Sequence, residues 1–410
     1  MDTPETLLPL LLAAITVALA ARRLRLPYTV GLVVAGIGLA LAHIHTGVAL
    51  THALIFNVIL PPLLFEAAIC LRWRAVRRDL APILVLAVLG VAISAAFVAW
   101  GLTALLGWQR PAAALFGMLI AATDPVSVIA LFKDLRITGR LRCLVEAESL
   151  LNDGVAAVLF TLTLAWAESG VVPSPASAAG ALALTAGGGT ALGLAIGALT
   201  TAIAGRSKDH LVETALTLLA AYGSFALAEH LHLSGVLATV AAGLVVGNTG
   251  LRSVGARHAA FDFWEFAAFL ANSLVFLLIG LAVAAIPLGR LGAGALATII
   301  ALVLAGRALT VYPICLAFSR TSRAIPLAEQ HILWWGGLRG ALALALVLAL
   351  PQALPGHDDI LIATFGTVTF SVLAQGVSMR AVLRMVGVKE ARPGALPLDP
   401  AGDKSPDPIR

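Results

Sequence analysis

The sequence predicts an all-α polytopic membrane protein, and three observations carry that reading. Of the 410 residues, 60% are hydrophobic and only 12% are charged, about half the charged share of a soluble chain. The apolar runs are far longer than strands and suit helices, which satisfy their own backbone groups inside a bilayer. Lys and Arg do not scatter but recur after every second apolar run.

Thirteen transmembrane segments are expected, at about 7–21, 28–42, 53–71, 80–106, 112–132, 141–166, 178–204, 211–228, 235–246, 264–286, 293–318, 332–350 and 360–382. The first is read as a span rather than a cleaved leader. Asp2 and Glu5 precede it, while Arg22, Arg23 and Arg25 follow it, the reverse of a signal peptide's charge order. Loops after odd-numbered segments hold 21 of the 27 Lys and Arg, whereas loops after even-numbered ones hold only Arg110 and Arg290. The positive-inside rule makes the odd side cytoplasmic, with the N-terminus outside and the C-terminus inside. Residues 1–386 then form one transmembrane domain, and the Pro-rich, polar stretch 387–410 reads as a short disordered cytoplasmic tail.

Segment six carries Glu148-Ser-Leu-Leu-Asn-Asp-Gly154 inside a long apolar run. On a helix Ser149 and Asp153 share a face, with Glu148 and Asn152 as the adjacent pair. Ionisable groups at such depth face a protein interior or a watery pathway. A cluster of helix–helix hydrogen bonds without a ligand is the plainer alternative. Segment five holds Ala122-Thr-Asp-Pro-Val126, where Pro125 removes a donor and disfavours the helical conformation at Asp124. Segment twelve holds Gly336-Gly-Leu-Arg-Gly340, whose three glycines weaken a helix around Arg339. Breaks in corresponding parts of two halves point to inverted repeats with two discontinuous, crossing helices and a site at the midplane. Segments four to six would pair with eleven to thirteen, and segment seven, rich in Gly and Ala, would link the halves by close packing. Arg307 and Arg339 are the basic residues left inside apolar segments, and each needs a carboxylate or several carbonyls.

Other polar residues read more plainly. Glu66 is expected to pack between helices, and Glu213 and Glu265 to lie near the cytoplasmic ends. His43, His45, His52, His230 and His232 fall on the outer side, as loop histidines rather than a metal site. Trp73, Trp108 and Trp264 read as interfacial anchors. Cys70, Cys143 and Cys315 make no disulfide framework. The absence of HExxH argues against a membrane metalloprotease. A hydrolase built on Ser149 lacks a neighbouring base. A channel with the same lining remains the rival for the broken-helix site, separable by voltage-dependent conductance.

Taken together, the motifs match a known family. They are Leu60-Pro-Pro-Leu-Leu-Phe-Glu-Ala67, the two breaks, Glu148–Gly154, Leu233-Ser-Gly-Val-Leu-Ala238, Phe263-Trp-Glu-Phe266 with Asn272 and Phe276-Leu-Leu-Ile-Gly280, Gly306-Arg-Ala308 and Thr364-Phe-Gly366. In this order they resemble monovalent cation/proton antiporters of the NhaP type, the branch that includes the eukaryotic sodium/proton exchangers. The resemblance implies a homodimer in the cell (inner) membrane, a mobile six-helix core, and exchange of Na⁺, with Li⁺ and K⁺ as alternatives, for H⁺ by alternating access. It implies no cofactor, no enzymatic activity and no nucleic-acid partner. It makes Asp153 the ion- and proton-binding carboxylate. Ser149, Glu148 and the Thr123 carbonyl complete the cation site, with Asp124 close by. Asn152 stands where an electrogenic branch has a second aspartate, which implies electroneutral exchange. Arg339 would lie near Glu148 and stabilise the helix crossing, and Arg307 would hold core helices together. The chemistry of the cluster agrees, since a hard cation prefers carboxylate, hydroxyl and carbonyl oxygens.

Overall fold

Long apolar stretches free of central strand signals fold here into helices. The computed structural model describes residues 27–43 and 48–387, except 125, 135, 136, 138, 173, 208 and 251–253, together with 12, 15–17 and 23. Most of the first expected span, Pro125, His45 and the tail beyond 387 lie outside the described residues. Among those described there is no strand. Eight helices among the described residues are long and apolar enough to cross a membrane.

The helices run α1 (Tyr28–Leu41), α2 (His52–Cys70), α3 (Trp73–Arg78), α4 (Leu80–Leu106), α5 (Arg110–Ala121), α6 (Val126–Asp134), α7 (Arg140–Ser169) and α8 (Pro175–Ala204). There follow α9 (His210–His230), α10 (Gly235–Val245), α11 (Val254–Ala285), α12 (Ala293–Ala317), α13 (Leu327–Trp335), α14 (Ala341–Leu348) and α15 (His357–Met385). Several outrun the apolar stretch that announced them. α11 begins ten residues before Trp264 because Arg257, His258 and Asp262 continue its first turns. Charged residues extend a helix beyond the hydrocarbon-like part that a hydropathy count sees. Single π turns interrupt α2 at Ile55–Ile59, α4 at Leu86–Gly90 and α15 at Ser371–Gln375, and another follows α10 at Val246–Gly250.

Two groups of helices emerge from the packing. In one, α11 packs on α1 and α2, and α10 packs on α2, α8 and α9. In the other, α4 packs on α5 and α12, α7 on α5, and α15 on α12 and α14. The glycines of α8 do what their sequence suggests. A Cβ on Gly193 would overlap the Ala238 carbonyl, and one on Gly189 would overlap that of Ser234, so α8 and α10 touch backbone to backbone. Trp264 is no interfacial anchor. It is fully buried against Phe65, and its indole N–H donates to Thr217 Oγ1 at 2.8 Å. The buried hydroxyl satisfies the donor that a headgroup region would otherwise have to meet.

Candidate functional site

The site is built on two interruptions in helical backbone that meet each other. α5 ends at Ala121, residues 122–124 are non-helical, and α6 begins at Val126. Asp124 Oδ1 accepts the Val126 N–H at 2.9 Å, a local cap on α6. α13 ends at Trp335, residues 337–340 are non-helical, and α14 begins at Ala341. The Asp124 N–H donates to the Leu338 carbonyl at 2.8 Å, joining one interruption to the other. The contact is close enough that a Cβ on Gly340 would overlap the Asp124 carboxylate. Gly340 is therefore a steric requirement of the junction as well as a helix breaker.

Both arginines are buried here, with 6% of Arg307 and 3% of Arg339 exposed. Arg339 lies within electrostatic range of Glu148, as expected, but the direct ion pair is made by the other arginine. Arg307, not Arg339, holds Glu148. Its two terminal nitrogens donate to Oε1 and Oε2 at 2.8 and 3.0 Å, a bidentate fork. It also donates to the Leu333 carbonyl, so α12 ties α7 to α13. Arg339 instead donates to the carbonyls of Ala121 and Ala122 at 2.8 and 3.0 Å. These are carbonyls at the end of α5, where intrahelical donors run out.

The α7 motif reaches the first interruption from the other side. The Ser149 hydroxyl donates to the Thr123 carbonyl. Asn152 Nδ2 donates to Thr123 Oγ1 at 3.2 Å and to Glu148 Oε1 at 3.4 Å. Asn152 Oδ1 is buried without a partner among the described residues. Asp153 hydrogen-bonds to nothing described, and it lies within electrostatic range of Asp124, Glu148 and Arg339. A cavity of about 550 Å³ is lined by Asp153, Asp124 and Thr123. It continues past Glu146 to Arg142, eleven residues along α7 or about 16 Å. Glu66, Asp262 and Glu265 line the same space from α2 and α11. Asp153, Asp124 and Thr123 thus share one cavity, whereas the Glu148 carboxylate is turned to Arg307. Toward the far end, His52 Nδ1 meets the Ala345 carbonyl at 2.8 Å, closing α2 on α14. Among the described residues no three His, Cys, Asp or Glu group as a metal site.

Sequence reasoning missed Ser371 and Gln375, both buried beside the second interruption. The signal was available: a polar pair four apart in an apolar span, the same spacing that singled out Ser149 and Asp153.

Comparison with known proteins agrees with the geometry. Residues 9–385 match the family model described as sodium/hydrogen exchanger, transmembrane. The chain is 42% identical over 372 residues to the Na(+)/H(+) antiporter ApNhaP of Aphanothece halophytica, covering 89% of this chain and 70% of that one. It is 32% identical over 403 residues to the Na(+)/H(+) antiporter NhaH of Halobacillus aidingensis, covering 93% and 97%. The fold matches the sodium proton antiporter MjNhaP1 of Methanocaldococcus jannaschii, with a TM-score of 0.72 at 20% identity over 94% of this chain and all of that one. With nearly the whole chain matched and the two interruptions, the buried arginines and the α7 carboxylates in one place, this protein belongs to the sodium/hydrogen exchanger family.

Proposed function

We propose that this protein exchanges a monovalent cation, Na⁺ first with Li⁺ and K⁺ as alternatives, for H⁺ across the cell (inner) membrane. The observation that carries the reading is Asp153. It is a carboxylate on the wall of the cavity, with no hydrogen-bond partner among the described residues and with Thr123 and Asp124 beside it. Such a group is free to take a proton or a partly dehydrated cation, and one occupant excludes the other. Ser149 and Asn152 hold Thr123 in place for that exchange.

Charge bookkeeping supports electroneutral exchange. Asp124, Glu148 and Asp153 face Arg307 and Arg339, which leaves one negative charge for one monovalent occupant. Asn152 adds none. The cavity runs from Asp153 toward Arg142, the end that the basic loops mark as cytoplasmic. The N-terminus would then lie outside and the C-terminus inside. A cavity that reaches Asp153 from the Arg142 side would serve one half-cycle of alternating access. The α4–α7 and α12–α15 group would be the moving core, related as inverted repeats, and the other group the homodimer scaffold.

Proton flux in proteoliposomes tests this, with Na⁺, Li⁺ or K⁺ added in turn and the voltage clamped through an ionophore. Cation-dependent flux that is indifferent to the clamp and lost in Asp153→Asn is expected. Full flux in Asp153→Asn would remove Asp153 from the mechanism. Flux that follows the clamp would refute electroneutrality, and a steady voltage-driven conductance would favour a channel.

A further inference from the structure

An interrupted helix leaves backbone groups that something else must satisfy. At the first interruption the partners come from α7, the next helix in sequence. A hydroxyl, Ser149, takes the Thr123 carbonyl, and a carboxamide, Asn152, takes the Thr123 side chain. At the second interruption the next long helix, α15, supplies the same two chemical groups. The backbone N–H of Arg339 donates to Ser371 Oγ at 2.9 Å. The Ser371 hydroxyl donates to Gln375 Oε1 at 2.7 Å. Gln375 Nε2 donates to the carbonyl of Trp335, the last residue of α13, at 3.1 Å. Both side chains are buried, with 1% and 3% exposed.

These two residues bound the π turn of α15. A π turn widens a helix by one residue, and such turns cluster at functional positions. Here the turn presents Ser371 and Gln375 to the one stretch of α13–α14 that lacks helical bonds. The chain therefore runs without a gap from α15 to the cavity. Ser371 holds the Arg339 backbone, and Arg339 holds the Ala121 and Ala122 carbonyls. Thr123 and Asp124, which line the cavity, come next in sequence.

We infer that Ser371 and Gln375 are positioning residues for the ion site, a clamp on the second interruption that matches Ser149 and Asn152 on the first. The clamp acts through Arg339 and touches neither the cation nor the proton. This inference rests on the exchange reading above for its transport arm only.

Two readouts test it on the full chain: hydrogen–deuterium exchange over residues 334–342, and cation KM with the pH profile of flux in proteoliposomes. Ser371→Ala is expected to speed amide exchange in that stretch and to raise the cation KM about five- to tenfold, the worth of one or two net hydrogen bonds. Ser371→Thr, which keeps the hydroxyl, is expected to restore both. Gln375→Met keeps the length of the side chain and removes its bonds to both Ser371 and Trp335 without adding a charge, so it carries the test should Ser371→Ala fail to fold; the same direction of change is expected. Wild-type exchange rates with wild-type KM and pH profile in these variants would overturn the inference. So would a fall in maximal flux alone, which marks a structural loss. Should the wild type transport no cation at all, the exchange reading fails instead, and faster or unchanged amide exchange still decides for or against the clamp.

Discussion

Glu148 and Arg307 form the one fully buried bidentate ion pair of the described site, and its cost structure makes a sharp prediction. Removing one partner strands a charge in the interior, which costs about 3–5 kcal/mol, whereas replacing both with apolar groups is often nearly neutral. Arg307→Met or Glu148→Gln should each lower the thermal unfolding midpoint in detergent. Arg307→Met with Glu148→Leu should recover much of that loss. Additive losses would mean that the two residues act separately. The sequence marked both residues as functional, because charges in apolar segments have no other excuse. The family resemblance set Arg339 near Glu148, and nothing in the sequence told that Arg307 makes the direct pair. Segment spacing fixes the face of one helix, while the pairing depends on how α12 and the second interruption lie against α7. Trp264 shows the same gap: a tryptophan at the end of an apolar run looks like an anchor until Thr217 is seen opposite its indole.

The interruptions were the most legible elements. Gly336, Gly337 and Gly340 around one arginine foretold a non-helical stretch at 337–340, and Asp124 ahead of a proline foretold the one at 122–124. What periodicity could not foretell was contact between them, since both stretches are local signals and their meeting is tertiary. That contact yields the next prediction. Gly340→Ala adds one methyl where Asp124 stands. It should abolish most cation-dependent flux while the purified protein keeps its helical circular dichroism. Full flux would mean that the junction has room to spare. The π turns left no trace in the sequence, because an extra residue in an apolar helix alters neither composition nor length noticeably.

For the whole molecule, the cavity reaches Cys70 and Arg142 beside the basic loops, so orientation can be read chemically. Cys70 is exposed and lines this cavity at the end of α2, just before Arg72 and Arg74. With Cys143 and Cys315 replaced by Ala, a membrane-impermeant maleimide should label Cys70 in inside-out vesicles and leave it untouched in right-side-out ones. Labelling in right-side-out vesicles alone would invert the topology. The three carboxylates of the site, Asp153 among them, and its two guanidiniums also have a thermodynamic reach beyond the site. A membrane voltage of 100 mV is worth about 2.3 kcal/mol to each charge that crosses. On the electroneutral reading proposed above, the loaded core has no net charge and can draw on none of it. Such a carrier stalls when the cation ratio equals the proton ratio, so one pH unit sustains a roughly tenfold cation gradient, about 1.4 kcal/mol. With that stoichiometry, a cell relying on this protein would lose its pump when the pH gradient collapses, even with its electrical potential intact.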